Sequence, residues 1–234
     1  MKIACVVLIV VAIYALYVGL DISYKTSVAK KIANDTKAFE NISNDKSKAL
    51  LILGDSTAFG VGADTPEESL GALLAEEIGA TYVENISESG AKITDIAEQI
   101  ERAQLDTYDT ILLQVGANDV IRFTDTKMAE DTLRPILLGL NTRADNVIHG
   151  MGGNVGAAPF FPLFMQPIYH YRSLNFHKQW EELASELGHV YVNFYASPDE
   201  DPFKKNPGVY LAKDGLHPSS AGYQLWFERL KELL

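Results

Sequence analysis

The chain has 234 residues, 47% of them apolar and 22% charged, and a formal net charge of −11 at pH 7. Polyanions are held by basic patches, so this acidic balance argues against nucleic acid or an anionic membrane surface as a principal partner. Cys5 is the only cysteine, which excludes an intramolecular disulfide and a cysteine-based metal site.

Ile3 to Leu20 carries no charge. As a helix it would span about 27 Å, close to the hydrocarbon thickness of a bilayer. A signal peptide has a shorter apolar region, about 7 to 15 residues, and the nearest small-x-small site, Ser27-Val28-Ala29, lies well beyond this one. Residues 1–20 are therefore expected to be an uncleaved transmembrane anchor rather than a signal segment; cleavage would leave a secreted or periplasmic protein. Lys2 precedes the segment and Lys25, Lys30 and Lys31 follow it, a charge balance that by itself would keep the following domain in the cytoplasm. Residues 21–48 are rich in Lys, Asn, Asp and Ser and read as a polar tether or short helix.

From residue 49 the chain alternates apolar strand-like runs with helical patterns, as a parallel α/β sheet requires. Strands are predicted over 49–54, 80–85, 109–115, 145–149 and 189–194, and helices over 66–78, 92–105, 126–143, 174–187 and 219–233. Pro66 suits a first helical turn, and Gly79 and Gly188 suit helix ends. About 186 residues suffice for one domain with a sizeable core, so 49–234 is expected to be a single three-layer α/β/α sandwich around a five-stranded parallel sheet, flavodoxin-like in order.

Four short motifs follow these strands or lie near the C-terminus. Gly54-Asp55-Ser56 ends the first strand, Ser89-Gly90 follows the second, Gly116-Ala117-Asn118-Asp119 follows the third, and Asp214-Gly215-Leu216-His217 precedes the last helix. A serine hydroxyl becomes a nucleophile when an imidazole takes its proton and a third group orients that imidazole. Ser56, His217 and Asp214 supply those types, and the three-residue spacing of Asp214 and His217 lets one turn present both on one side. A glycine amide and an asparagine NH₂ are donors suited to an oxyanion. Competing glycine-loop readings fail: Gly54 to Gly62 contains no P-loop lysine, Thr65 stands where the third glycine of a dinucleotide loop belongs, and Ala58 replaces the second glycine of a Gly-x-Ser-x-Gly elbow.

Ser56, Gly90, Asn118 and His217, in that order, resemble the four signature positions of the SGNH hydrolases, the GDSL esterase/lipase family, over about residues 49–234. Among its members the chain is similar to small bacterial arylesterase- and lysophospholipase-like enzymes. The resemblance implies a flavodoxin-like fold and a carboxylic ester hydrolase needing no cofactor or metal. It also implies Ser56 as nucleophile, His217 as base, Asp214 as its orienting acid, and an oxyanion hole of Ser56, Gly90 and Asn118. Implied substrates are small-molecule, lipid or glycan esters, with the membrane met through residues 3–20. Relatives with N-terminal apolar segments act on envelope or extracellular esters, so an extracytoplasmic catalytic domain is expected, against the charge count.

The segment from Gly150 to Arg172 is the most irregular and departs from the short Pro-Pro loop of many relatives. Phe160 and Phe164 within it are expected to line the acyl pocket and to favour short or medium acyl chains or aryl esters. His149, His170, His177 and His189 lack metal-ligand spacing and are expected in satisfied polar or surface roles. Two alternatives stay open: an envelope O-acyltransferase using the same triad, and a non-catalytic tethered binding module.

Overall fold

The computed structural model describes residues 2–234. The chain opens with a single 34-residue helix, α1 (Lys2–Asp35). Its segment from Cys5 on has a mean hydropathy of 2.5 over its most apolar window and is long and apolar enough to cross a membrane. Residues 21–35, expected as a tether or short helix, continue α1 without a break. Beyond it, Asn41 exchanges two backbone hydrogen bonds of 2.9 Å with Val83, fixing the linker to the edge of the sheet.

The sheet contains β1 (Ala49–Gly54), β2 (Tyr82–Asn85), β3 (Tyr108–Gln114), β4 (Ala144–Gly150) and β5 (Val190–Val192). All pairings are parallel and the order is β2-β1-β3-β4-β5. Every residue of β1 is buried, which is why this strand reads as a continuous apolar run rather than an alternating one. Leu51 and Leu53 face one core, with Leu133, Leu137, Phe176 and Trp180, while Leu50 and Ile52 face another, with Leu70, Leu74, Tyr223 and Trp226.

Helices α4 (Ile96–Glu101), α6 (Thr126–Leu140) and α7 (Gln166–Leu187) cover the first face. Helices α3 (Leu70–Ile78) and α10 (Ser220–Lys231) cover the second. Short helices α2 (Ser56–Phe59), α5 (Ala117–Ile121), α8 (Pro202–Lys205) and α9 (Pro207–Tyr210) occupy connections at the strand ends. The helix predicted from 174 begins eight residues earlier, at Gln166. Pro167 sits in its first turn, where a missing N–H costs nothing.

The chain leaves β1 for β2 on one side and returns to β3 on the other. This strand-order reversal opens a crevice at the C-terminal ends of β1 and β3. Gly54 and Gln114 are register partners there, so the residues that follow each strand emerge side by side.

Candidate active site

The turn after β1 is built around Gly54. Its φ of +139° favours glycine, and a Cβ at this position would lie 1.9 Å from the Gln114 carbonyl oxygen. The turn aims the next residues into the crevice. Asp55 caps α2 by accepting from the Thr57 amide (2.9 Å) and hydroxyl (2.8 Å), and Ser56 begins the helix.

The loop between α9 and α10 supplies the partners. An Ala212 N–H to His217 carbonyl bond (2.8 Å) and a Leu211–Pro218 bridge hold it in a narrow hairpin. Asp214 organises its tip: Oδ1 accepts the N–H groups of Leu216 (2.9 Å) and His217 (3.1 Å), while Oδ2 meets His217 Nδ1 at 2.6 Å. His217 Nε2 then lies 2.9 Å from Ser56 Oγ. Ser56, His217 and Asp214 thus form one continuous hydrogen-bonded chain.

Burial pushes the Asp214 carboxyl upward, but the hydrogen bond and charge of His217, with the two loop amides, outweigh it and leave the group below the usual carboxylate value. An ionised Asp214 fixes the Nδ1–H tautomer and leaves Nε2 as the acceptor facing the serine hydroxyl. Asp55 behaves oppositely. Burial raises its carboxyl to about 6, against the pull of the Thr57 hydrogen bonds and His217, and its Oδ2 has no protein partner among the described residues.

Ser56, Asn118 and His217 line one cleft. Its walls are mainly apolar, with Ile121, Val155, Phe203, Leu211, Leu216 and Trp226. Asn118 donates one Nδ2 hydrogen to the Ala91 carbonyl at 3.0 Å, tying the loop after β3 to the loop after β2. Gly90, with φ +89°, precedes that carbonyl; it does not line the cleft. The N–H groups of Ser56 and Gly90 have no acceptor among the described residues.

Phe160 and Phe164 do not line the cleft, which corrects the expectation for them. Phe160 packs at the core margin against Phe161, with centroids 5.0 Å apart, and its N–H bonds the Gly215 carbonyl. Phe164 is 58% exposed. The cleft wall on this side comes instead from the preceding Gly152–Ala158 stretch, and its aromatic surface from Phe203 and Trp226 of distant segments.

The profile of the GDSL-like lipase/acylhydrolase family matches residues 52–225. The chain belongs to that family. A GDSL-like esterase of Mycobacterium tuberculosis is 25% identical over 185 residues, covering 75% of this chain. The chain spans 58% of the length of that relative. A lipolytic G-D-S-L family member from Veillonella parvula superposes with a TM-score of 0.63 at 20% identity, covering 80% of this chain and 98% of its own. An acetylxylan esterase from Geobacillus stearothermophilus gives 0.59 at 19%, covering 83% and 95% respectively. At these identities the two structures speak for the fold alone.

Two positioning residues carry no motif. Buried Gln99 of α4 accepts from the Gly54 N–H (2.8 Å) and donates to the Gly54 carbonyl (2.9 Å). Arg172 of α7 donates to the carbonyls of Val120, Asp119 and Thr124, closing the C-terminal end of α5 and so bracing the Asn118 loop. Asp119 adds a third link, accepting the Ile93 N–H at 3.0 Å. A glutamine and an arginine in helical runs give no local signal of such long-range bonds.

Of the other histidines, His177 bonds the Tyr191 hydroxyl and the Gly152 carbonyl, His170 meets the Tyr195 hydroxyl, and His189 meets Asn141. His149 departs from the expected satisfied role: it is buried, neither ring nitrogen is bonded among the described residues, and burial lowers it to about 3, so it stays neutral near pH 7.

Proposed function

We propose that the chain is a serine esterase that hydrolyses carboxylic esters through an acyl-enzyme on Ser56. The observation that carries this reading is the 2.9 Å and 2.6 Å hydrogen-bonded chain from Ser56 through His217 to Asp214 at the wall of an apolar cleft. In the first half-reaction Ser56 Oγ attacks the acyl carbon while His217 Nε2 takes its proton. Asp214 holds the imidazolium that forms. The oxyanion is received by the Ser56 N–H and the second Nδ2 hydrogen of Asn118, with the Gly90 N–H at the cleft's margin as the third donor. His217 then protonates the leaving alcohol, water attacks the acyl carbon with His217 as base, and Ser56 is released.

The apolar Phe203, Leu216 and Trp226 walls of the cleft support short or medium acyl groups or aryl esters. Acylated glycans belong in the same class of substrate, the Geobacillus relative being an acetylxylan esterase. Lysophospholipids remain within reach of an apolar cleft of this kind. Residues 3–20 act as an uncleaved anchor, and the domain of residues 49–234 works on the extracytoplasmic side.

Hydrolysis of p-nitrophenyl esters of graded acyl length by the full chain tests the reading. The Ser56→Ala variant should lose about 10⁶-fold in kcat, the scale seen when a catalytic serine is removed. Equal turnover in both proteins, or no labelling of Ser56 by a fluorophosphonate, would refute it.

A further inference from the structure

Two surfaces with no role in the chemistry lie close together: the end of the apolar helix and an exposed apolar ridge. Past Leu20, α1 keeps one face half-buried through Ile22, Lys25 and Ile32, so this part of the helix rests on the domain. Lys25 Nζ donates to the Pro159 carbonyl at 2.8 Å. Lys25 stands five residues beyond Leu20, about 7.5 Å along the axis, so Pro159 is held close to the level at which the apolar segment ends.

The ridge begins four residues later. Leu163 is 79% exposed, Phe164 58%, Ile168 45% and Tyr171 64%. Four residues of chain reach at most about 14 Å, which keeps Leu163 near the same level. Ile168 and Tyr171 are three residues apart on α7 and share one of its faces. A run of large apolar side chains left in water marks a contact surface, and a tyrosine at its margin suits the boundary between headgroups and acyl chains. The loop is also tied to the cleft: Ala157 and Ala158 line it, and Phe160 N–H bonds the Gly215 carbonyl between Asp214 and His217.

We propose that Leu163, Phe164, Ile168 and Tyr171 seat in the headgroup region of the bilayer that α1 crosses, holding the Ser56 cleft at the membrane surface. The inference rests on the anchor reading of residues 3–20. The occupant is the lipid surface rather than a second copy of the chain because α1 already brings that surface to Pro159. The cleft would then draw its esters from molecules residing at the membrane.

Spin labels test the placement. In a full-length Cys5→Ala background, single cysteines at Leu16→Cys, Phe164→Cys, Tyr171→Cys and Asp106→Cys are labelled and the protein is reconstituted into phosphatidylcholine vesicles. Asp106 is exposed and lies just before β3, at the N-terminal ends of the strands and so at the opposite end of the sheet from the cleft. The expected result is a shift of relaxation at 164 and 171 toward oxygen, the lipid-soluble agent, and away from a water-soluble nickel chelate, with 106 showing the reverse. Water-like labels at 164 and 171 beside an oxygen-favoured label at 16 would overturn the docking while leaving the anchor intact. Spin–spin broadening at 164 without oxygen preference would assign the ridge to a second copy and also overturn it. A water-like label at 16 would remove the anchor and the docking together. None of these outcomes depends on turnover, so they stand apart from the esterase test.

Discussion

Gln99 grips Gly54 at both ends of its peptide environment, accepting its N–H at 2.8 Å and donating to its carbonyl at 2.9 Å. Gly54 stands two residues before Ser56, so a helix on one face of the sheet sets the direction in which Ser56 leaves the strand. Gln99→Ala should lower unfolding stability by about 1 to 3 kcal/mol, because the buried Gly54 N–H loses its acceptor while the Gly54 carbonyl keeps only the Glu88 N–H. It should also reduce kcat more than KM. Chemical denaturation and steady-state hydrolysis measure the two effects, and a normal kcat in a destabilised variant would reduce Gln99 to a packing role.

Asp214 and Asn118 act at different points and should separate kinetically. Asp214→Asn frees the imidazole to adopt the wrong tautomer and should cut kcat by about 10⁴-fold. Asn118→Ala removes one oxyanion donor, for a loss of about 10² to 10³-fold. Because Asn118 also bonds Ala91, its thermal stability needs measuring alongside; a loss of activity that follows unfolding alone would speak against the oxyanion role.

Asp55 gives a pH signature of stability. Its folded value, about 6, lies above the ordinary 3.8. Its contribution is therefore fully present below about pH 4 and is lost as pH rises through 6. The difference amounts to roughly 3 kcal/mol at most. Asp55→Asn keeps an acceptor for the Thr57 amide and never ionises. The unfolding free energy of the native chain should fall relative to this variant between pH 4 and 7, and a constant difference across that range would contradict the raised value.

The walls of the cleft, rather than the exposed phenylalanine, should set acyl-chain preference. Phe203→Ala and Leu216→Ala should shift the optimum of soluble p-nitrophenyl esters toward longer chains, while Phe164→Ala should leave it in place. A shift with Phe164→Ala alone would return that side chain to the pocket.

The strands were legible because parallel strands buried on both faces demand unbroken apolar runs, as Ala49–Leu53 and Ile111–Leu113 show. The motifs stood out for a related reason: three of the four follow a strand end, where the fold collects polar groups, and the fourth, Asp214–His217, precedes the last helix. Gln99 and Arg172 were not legible, since their bonds join helices to turns far away in sequence. Phe160 and Phe164 misled because an aromatic loop looks the same in sequence whether its rings face a cleft, a core margin or solvent. The start of α7 was missed where Pro167 opens a helix inside a segment otherwise rich in Gly, Pro and Phe.

Ser56 and His217 lie 161 residues apart and meet only because α10 closes the crevice. Tyr223 bonds the Val61 carbonyl, and Ser220 bonds both Glu68 and the Asp64 amide, so the last helix is stitched to the segment that follows the serine. A nascent chain therefore carries Ser56 without His217 beside it until α10 has left the ribosome. On the proposed reading, the site stays incomplete until α10 folds back onto the segment after Ser56, even when α1 has already entered a bilayer.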